Sequence, residues 1–321
     1  MIKNTVLVLV AFTKGGMMKK RSIIGAMLSI ICFCGQIANA AEVSITMDDF
    51  NVHEETLLTG AQRNQKILAA LKKHKVKAGL FPVGKYIQND NDLKLLKQWN
   101  KNGHFIGNHT FDHKKYDSKV TLEEEKIQIQ KGEEVFKDVP GFIRIFRFPM
   151  LAEGDTSEKR DDLRVWLQDK GYKNGAVTID ASDWYIDRRL RDKLAADPKA
   201  DLKPYRDYYL AHVWDRAQYY NDLSKKVVGR EVKHTLLIHF NLLNALFLDD
   251  VIKMFKSHGW KVIDASEAFK DPVFVKQPKT LPSGQSLIWA LAKESGKYEK
   301  ELRYPGEDDT YEKPKMDALG L

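Results

Sequence analysis

Short runs of apolar residues alternate along the chain with longer segments in which apolar residues recur every three or four positions. The short runs consist mainly of Val, Ile, Leu and Phe, which is typical of parallel strands buried on both faces. Seven runs predict strands, at Val43–Met47, Ala78–Phe81, Phe105–Gly107, Ile143–Phe146, Ala176–Ile179, Thr235–Ile238 and Lys261–Ile263.

The longer segments have the spacing of amphipathic helices. They predict helices at Ala61–Lys73, Leu93–Asn102, Leu122–Phe136, Asp161–Lys170 and Leu243–Ser257. Thr121 and Glu124 have the spacing of a capping box, which favours a helix start between them. Strands that alternate with helices predict a parallel sheet with right-handed crossovers, and we expect an α/β barrel rather than two equal domains.

The segment between Trp184 and Thr235 is longer than one crossover helix requires. From Tyr205 to Lys226 its aromatic residues recur at helical spacing, which predicts a helical insertion near residues 188–230 with one aromatic face. We favour packing of this face on the barrel, because aromatic stripes more often belong to a core. The alternative is a cleft wall that stacks on sugar rings.

The residues after Lys270 form a separate region, with three prolines in its first twelve positions. Ser283–Lys297 predicts one amphipathic helix, and the charged segment Glu299–Leu321 predicts a frayed end. We expect residues 271–321 to be an extension that is strapped to a barrel domain of residues 41–270.

Two carboxylates, Asp48 and Asp49, end the first predicted strand. Adjacent carboxylates can take different tasks, since one can hold a metal while the other accepts a proton from the attacking water. The third strand is followed by His109 and His113, whose imidazoles can converge on one ion if the backbone makes a helical turn. Taken singly, both motifs also fit solvated aspartates and loop histidines.

Three more polar motifs follow later strands. They are Arg147-Phe148-Pro149, Asp180-Ala181-Ser182-Asp183-Trp184 and Leu236-Leu237-Ile238-His239. A buried arginine requires a carboxylate partner, for which Asp183 is the candidate, and His239 could act as a general acid. The carboxyl ends of parallel strands meet at one face of a barrel, so we expect all five motifs to lie together there.

In this order the five motifs resemble those of the polysaccharide deacetylase family, the NodB-homology domain of carbohydrate esterase family 4. The resemblance covers about residues 42–268. It implies an irregular (β/α) barrel of about seven parallel strands, in agreement with the seven predicted here. It also implies metal-assisted hydrolysis of N-acetyl groups on a glycan.

The resemblance also implies which residues bind the metal and move protons. Asp49, His109 and His113 would bind a divalent metal, with zinc as the usual ion and Co²⁺, Ni²⁺ or Mn²⁺ as substitutes. Asp48 would be the base that helps to deprotonate the attacking water. His239 would protonate the leaving amine.

The remaining motif residues are implied to support these groups. Arg147 would orient the catalytic base, and Asp183 would hold Arg147, with Trp184 packed over the pair. Leu237 would shape the acetyl pocket. The backbone N–H of Met150 would stabilise the oxyanion together with the metal.

Two positions depart from the family pattern. Phe50 replaces the usual glycine after the aspartates, and we expect its bulk beside the metal to narrow or reshape the mouth of the site. Met150 replaces the tyrosine that usually follows Arg-x-Pro; it keeps the backbone donor and lacks the ring. The substrate size is therefore open, whereas the basic chemistry is expected to be retained.

The N-terminus has the three parts of a secretory signal peptide: basic Lys19–Arg21, apolar Ile23–Cys34 and small residues up to Ala40. We expect cleavage after Ala40, and residues 1–17 suggest an over-extended start codon. Neither apolar run of the leader reaches the roughly 18–20 residues of a membrane span. A periplasmic or secreted protein without a permanent span is therefore expected.

Charge and cysteine content narrow the function classes. The full chain has 52 basic and 44 acidic residues, a net charge of +8, and removal of the leader leaves 47 against 44, or +3. This balance gives no support to a nucleic-acid partner. Cys32 and Cys34 both lie in the leader, so the mature chain has no disulfide or thiolate metal site. The sequence does not define the oligomeric state.

Our leading hypothesis is a metal-dependent N-deacetylase that acts on an extracytoplasmic glycan. Peptidoglycan, chitin oligosaccharides and poly-N-acetylglucosamine are the candidate substrates. One alternative keeps the fold and changes the substrate, to an O-acetylated xylan or a non-glycan amide. The other is an envelope protein that binds glycan without turnover, because a fold alone does not secure activity.

Overall fold

The computed structural model describes residues 40–304 and 306–321, so the predicted leader, residues 1–39, lies outside the described part of the chain. Seven strands of the described residues form one sheet. They are β1 Glu42–Asp49, β2 Gly79–Pro82, β3 Phe105–Asn108, β4 Phe142–Phe146, β5 Lys173–Asn174, β6 Lys233–His239 and β7 Lys261–Ile263.

The helices surround this sheet. They are α1 Gly60–His74, α2 Asp90–Lys101, α3 Leu122–Phe136, α4 Ser157–Asp169, α5 Asp183–Ala196, α6 Lys203–Val228, α7 Leu242–Ser257, α8 Ala265–Ala268, α9 Leu287–Ser295 and α10 Asp309–Ala318. The five predicted helices correspond to α1, α2, α3, α4 and α7, and the Thr121 capping box at α3 is present. None of the helices in the described residues combines the length and apolar character needed to cross a membrane.

Strand β1 lies at the centre of the sheet. Every ladder is parallel, and the strand order is β5-β4-β3-β2-β1-β6. On one side β1 pairs with β6 along its length; on the other it pairs first with β7 and then with β2. This arrangement buries β1 on both faces and brings the carboxyl ends of β1, β2 and β6 side by side.

The sheet is curled, as the predicted irregular barrel requires. Strand β5 pairs with β4 at one edge, and a few residues later Ile179 bridges to Leu236 of β6 at the other edge. Gly175 makes this passage possible, because a Cβ there would stand 2.8 Å from the Phe81 ring and 3.1 Å from the Phe146 carbonyl oxygen. The predicted α/β barrel architecture is confirmed.

The fifth predicted strand was misplaced. Residues 176–179 form no ladder of their own, and the strand at this edge is Lys173–Asn174. The carbonyl of Val177 accepts from the Leu287 amide at 2.7 Å, and that of Thr178 accepts from the Ser286 hydroxyl at 3.0 Å. The amides of Thr178 and Ile179 donate to the Thr235 carbonyl of β6, so this backbone is shared between β6 and the C-terminal extension, a partner that local sequence cannot indicate.

The predicted helical insertion is formed by α5 and α6. Tyr205, Tyr209, Val213, Ala217 and Tyr220 of α6 are all buried and belong to the main hydrophobic core. Their spacing is that of one helix face. The favoured prediction, that the aromatic face packs on the barrel, is therefore confirmed.

The C-terminal extension is also part of the core. Ile288 and Trp289 of α9 are fully buried, and α9 packs mainly against α6. The predicted amphipathic helix is present as Leu287–Ser295. The predicted frayed end was wrong, because α10 forms and buries Met316 completely.

Candidate active site

The chain turns sharply at the end of β1, where the two carboxylates stand. Asp49 and Phe50 both have positive φ, at 80° and 57°. Such values are uncommon outside glycine and are typical of functional sites. The Val83 amide donates to the Asp49 carbonyl, and the Phe240 amide donates to the Asp48 carbonyl, both at 3.0 Å. The residues that follow β2 and β6 thus hold the turn, and both carboxylates lie near His109 Nε2, with Asp48 Oδ2 at 3.5 Å and Asp49 Oδ1 at 3.8 Å.

Asp49 lies between the two histidines. Its Oδ1 is 3.4 Å from His113 Nε2 and 3.8 Å from His109 Nε2. One ligand atom from each of the three residues falls within 4.8 Å of the others. Asp49 Oδ1 is buried and has no hydrogen-bond partner in the described structure, so it is available to a cation. These donors fit a divalent metal with open coordination positions.

The two histidines are prepared as neutral ligands. Burial lowers the pKa of both imidazoles, that of His109 well below its ordinary value. The Nδ1 of His109 donates to the Arg147 carbonyl at 2.7 Å, which leaves Nε2 free to bind a metal. His113 comes into place because Thr110 and His113 have positive φ, near 60°. The histidine spacing therefore works through an irregular turn rather than through a helix.

Asp48 points into the barrel and pairs with Arg147. Arg147 Nη1 donates to both carboxylate oxygens of Asp48, at 3.0 and 3.2 Å. Burial raises the pKa of Asp48 to about 6, while Arg147 opposes the rise. An anionic carboxylate held in this way can accept a proton near neutral pH.

Arg147 is fixed by groups that the sequence analysis did not identify. Its other donors go to the Thr46 hydroxyl, at 3.2 Å, and to the Gly175 carbonyl. Its guanidinium lies over the Phe81 ring, 4.3 Å from the centroid. The prediction that Asp183 holds Arg147 and that Trp184 packs over the pair was wrong.

Asp183 instead holds His239. Its Oδ1 accepts from His239 Nδ1 at 2.7 Å, and its Oδ2 accepts from the His239 amide at 2.8 Å. The side chains of Asn241 and Asn244 donate to the same Oδ2, at 3.0 and 2.8 Å. Asp183 is the first residue of α5, where the helix dipole also favours a carboxylate.

The pairing with Asp183 favours the protonated form of His239. Burial lowers its pKa, but Asp183 outweighs this effect and raises the pKa to about 10. His239 is the last residue of β6, directly opposite Asp48 of β1 in the strand register. The imidazolium is thus held at the same end of the sheet as the base.

A cleft of about 510 Å³ joins these groups. Its lining includes Asp48, Asp49, His109, His113 and His239. Around them lie Met150, Trp184 and Leu237. Met150 is 57% exposed and has a φ of 53°; no described residue accepts a hydrogen bond from its amide. Leu237 is buried with Leu151 and Val177, so it forms an apolar part of the wall.

Phe50 does not reach the cleft. It is fully buried, with its ring 4.7 Å from that of Phe240 and 6.3 Å from that of Trp99. The prediction that Phe50 narrows or reshapes the mouth was wrong, because the positive φ turns its side chain into the core beside α2. The residues at the mouth are instead Trp184, which is 36% exposed, and Met150.

Two acidic residues of the cleft were not predicted as site residues. The sequence motif contains Asp180 without indicating a role for it. Burial raises the pKa of Asp180 to about 8, and the nearby Glu307 contributes to the rise. Glu307 comes from the C-terminal extension and lines the cleft. The sequence offered no signal for Glu307, since its place depends on the path of the extension across the fold.

Residues 36–166 match the family model described as polysaccharide deacetylase. The matched range contains the aspartate pair, the two histidines and Arg147, and ends before Asp180. The predicted resemblance to this family is confirmed.

Two curated bacterial relatives carry related names. A peptidoglycan-N-acetylglucosamine deacetylase of Bacillus cereus is 31% identical over 146 residues, which are 46% of this chain and 47% of the relative. The peptidoglycan-N-acetylmuramic acid deacetylase PdaA of Bacillus subtilis is 25% identical over 151 residues, 47% of this chain and 55% of the relative. The chain thus spans about half the length of the curated relatives it matches.

Among solved structures, similar folds include BA3943 of Bacillus anthracis, described as a CE4 family pseudoenzyme. It is 21% identical, with a TM-score of 0.50 over 72% of this chain and 66% of that one. A BA3943 mutant with restored enzymatic activity is 22% identical, with a TM-score of 0.50 over 72% of this chain and 68% of the mutant. At this identity the likeness supports the fold alone.

Proposed function

We propose that this chain, in which residues 36–166 belong to the polysaccharide deacetylase family, is a metal-dependent N-deacetylase of an extracytoplasmic glycan. The observation that carries the proposal is the divergence of two adjacent carboxylates. Asp48 is held by Arg147 and also lies 3.5 Å from His109 Nε2, whereas Asp49 is the carboxylate that lies near both histidines and has an unpartnered oxygen. One carboxylate is thus placed as a base and its neighbour as a metal ligand.

Asp49, His109 and His113 would hold the metal. Two nitrogen donors and one carboxylate favour zinc, and Co²⁺, Ni²⁺ or Mn²⁺ could replace it. When bound, a divalent ion polarises a carbonyl and makes water more acidic. His109 and His113 have lowered pKa values because they are buried, so they can bind the ion without first losing a proton near neutral pH.

Two side chains, Asp48 and His239, share the proton transfers of amide hydrolysis. Asp48 takes the proton of the attacking water, and Arg147 keeps its carboxylate oriented for this step. His239 gives its proton to the departing amine, since the pairing with Asp183 keeps the imidazole charged. The free amide of Met150 supplies a donor for the oxyanion, as the resemblance implies.

The substrate class follows from the relatives and the leader. Both curated relatives are named as peptidoglycan deacetylases, which favours a peptidoglycan substrate among the candidate glycans. Residues 1–40 have the pattern of a signal peptide, so we propose that the protein meets this glycan outside the cytoplasm. Trp184 and Met150 at the mouth offer exposed apolar surface for a sugar ring.

The test is acetate release by zinc-loaded protein from peptidoglycan fragments, chitin oligosaccharides, poly-N-acetylglucosamine and acetylated xylan. Asp48→Asn should lower turnover by about 10²- to 10⁴-fold, the usual effect of losing a general base, while zinc content stays at the wild-type level. Asp222→Asn is the matched control, because Asp222 is exposed on α6 and makes only a 4.0 Å contact with Lys225.

Each outcome has a distinct meaning. Undiminished turnover by Asp48→Asn would remove Asp48 from the mechanism. Release from xylan alone would convert the proposal into an O-acetyl esterase. No release from any substrate by a protein with bound zinc would contradict the glycan deacetylase and leave a non-glycan amide or a binding role.

A further inference from the structure

The C-terminal extension contacts two segments that carry the cleft. The Gln285 amide donates to the Leu151 carbonyl at 2.9 Å, beside Met150. The Leu287 amide and the Ser286 hydroxyl donate to the backbone just before Asp180, as described for the fifth strand. The extension lies beyond the residues matched by the family model, so the model assigns these contacts no role.

Ser182 is the point where the extension comes closest to the proton-donor pair. It is the N-cap residue of α5, a position where a serine hydroxyl usually accepts from its own helix. Here the hydroxyl makes no cap hydrogen bond and donates to Glu307 Oε2 at 3.4 Å instead. The Ser182 amide donates to His212 Nε2 at 2.9 Å.

His212 connects Ser182 to a second carboxylate of the extension. Because Nε2 accepts from the Ser182 amide, the ring proton is on Nδ1, which lies 3.3 Å from Glu312 Oε2. Glu312 is almost completely buried on α10. Burial raises the pKa of Glu312, but the contacts with His212 and Tyr208 outweigh this and lower it to about 2. The carboxylate is therefore a permanent anion that orients His212.

Glu307 is fixed just as firmly. Arg216 of α6 contacts its Oε1 at 3.0 Å, and Arg303 contacts the same oxygen at 2.8 Å. His212, Glu307 and Glu312 have ligand atoms close enough for a metal. Two guanidinium groups already neutralise the carboxylates, however, and His212 has both nitrogens engaged. The cluster is therefore a network of ion pairs and hydrogen bonds, with Glu312 Oε1 3.5 Å from Arg303 Nη2, rather than a second metal site.

Asp183, which aligns His239, directly follows Ser182 in the chain. We propose that Glu307 and Glu312 of the extension are positioning residues of the proposed deacetylation, acting through Ser182 and His212 on the Asp183–His239 pair. The inference rests on the proposed function, because the pair matters only if His239 is the proton donor. On this proposal the extension positions the Asp183–His239 pair in addition to packing against the barrel.

The test uses the full zinc-loaded protein and a set of matched variants. His212→Leu removes both links of the network, whereas His212→Gln can still accept from the Ser182 amide. We expect His212→Leu to lower kcat about tenfold or more, the scale for outer groups that orient a site, with KM and zinc content changed less than twofold. His212→Gln should recover most of kcat, and Glu312→Gln should fall between them.

Asp309→Asn is the control for α10, since Asp309 is exposed and contacts only Arg188, at 3.4 Å. The Nδ1–H proton of His239 provides a second readout by NMR, because it reports the bond to Asp183 without any turnover. Its resonance should shift in His212→Leu and Glu312→Gln and stay in place in Asp309→Asn.

The outcomes separate this inference from the proposed function. If the wild-type protein turns over and the folded network variants keep kcat within twofold and the His239 resonance unchanged, the inference is wrong. If the wild-type protein releases no acetate, the proposed function fails, and the NMR comparison alone decides whether the extension positions His239. Should His212→Leu not fold, Ser182→Ala and Glu312→Gln carry the same test.

Discussion

Asp183 shows how one buried carboxylate can define the state of another residue. Two donors from His239 and two from asparagine side chains satisfy its oxygens. These four hydrogen bonds replace the hydration that the buried carboxylate loses. Its negative charge in turn stabilises the His239 imidazolium, which is the form that a general acid needs.

We predict that Asp183→Asn moves the alkaline limb of the pH profile. Wild-type activity requires protonated His239, so kcat/KM should fall only as the pH rises towards its pKa of about 10. Asparagine removes the charge that opposes the effect of burial, so the pKa of His239 drops and activity is lost at lower pH. Profiles of kcat/KM for both proteins measure the shift, and identical alkaline limbs would exclude His239 as the acid.

Phe50 has a structural role at the turn after β1. Its ring fills the core between Trp99 and Phe240, while its backbone adopts the left-handed region that glycine usually supplies. Burial of the apolar Phe50 ring therefore offsets the strain of a left-handed backbone at this position. The Phe50 side chain does not line the cleft.

We predict that Phe50→Ala lowers the free energy of unfolding by about 3–5 kcal/mol, because it leaves a cavity in the core. Phe50→Gly should be less harmful by about 1 kcal/mol, since glycine adopts positive φ without strain. Chemical denaturation of both variants gives the difference. KM should stay within twofold of wild type in each; a large change in KM would place the ring at the cleft after all.

Some of the residue-level picture was accessible from the sequence, and the limits have a physical cause. The positions of the Asp48–Asp49 pair, the two histidines, Arg147 and His239 follow from strand ends, which a short apolar run reveals. The partner of Asp183 cannot be predicted from strand ends, because the side chains that bind this carboxylate lie more than fifty residues away in the chain. The direction of the Phe50 side chain depends on one backbone torsion.

At the scale of elements, α3 supports the loop that carries the histidines. The Phe111 amide donates to the Gln128 carbonyl at 3.0 Å, and the Asn108 side chain donates to the Ile129 carbonyl at 2.9 Å. The same helix buries Glu125, whose two carboxylate oxygens have no partner in the described structure. Helix α3 thus positions the loop, and it also buries the Glu125 carboxyl group, which would be better solvated in water.

We predict that Glu125→Gln stabilises the fold in a pH-dependent way. Burial, with a smaller effect of Asp112, raises the pKa of Glu125 from 4.5 to about 8. The unfolded chain ionises above 4.5 and the folded one does not, so wild-type stability falls between these pH values. The gain from glutamine should be near zero at pH 4 and about 2 kcal/mol or more at pH 8.

Urea denaturation at the two pH values measures this gain. Glu123→Gln is the matched control on the same helix, because Glu123 is exposed and pairs only with Lys126. We expect it to change stability by less than about 0.5 kcal/mol at either pH. Equal effects of Glu125→Gln at pH 4 and pH 8 would show that Glu125 is not buried as an acid.

Elements were predicted best where the signal lies within the element itself. The apolar face of α6 predicted its own packing, because a stripe of five aromatic and aliphatic residues on one helix requires a core. The fifth strand was misplaced because residues 176–179 divide their backbone hydrogen bonds between β6 and the extension, which joins the fold more than one hundred residues later.

At the scale of the whole molecule, residues 176–179, where the chain returns to β6, also hydrogen-bond to a segment from the far end of the chain. The family model covers residues 36–166, while the proton donor, its carboxylate partner and the network behind them come from later residues. One half of the site thus lies within the residues that match the family model and the other half lies beyond them.

Asp49 carries a consequence for how such a chain changes over generations. Without a cation, its buried and unpartnered oxygen is a burden on the fold, of about 1–3 kcal/mol for an unmet polar group. The neighbouring pair of Asp48 and Arg147 does not depend on it. In a lineage released from selection for the reaction, loss of Asp49 is therefore favoured by stability. The proposed reaction would then be lost, while the Asp48–Arg147 pair and the cleft around it would persist.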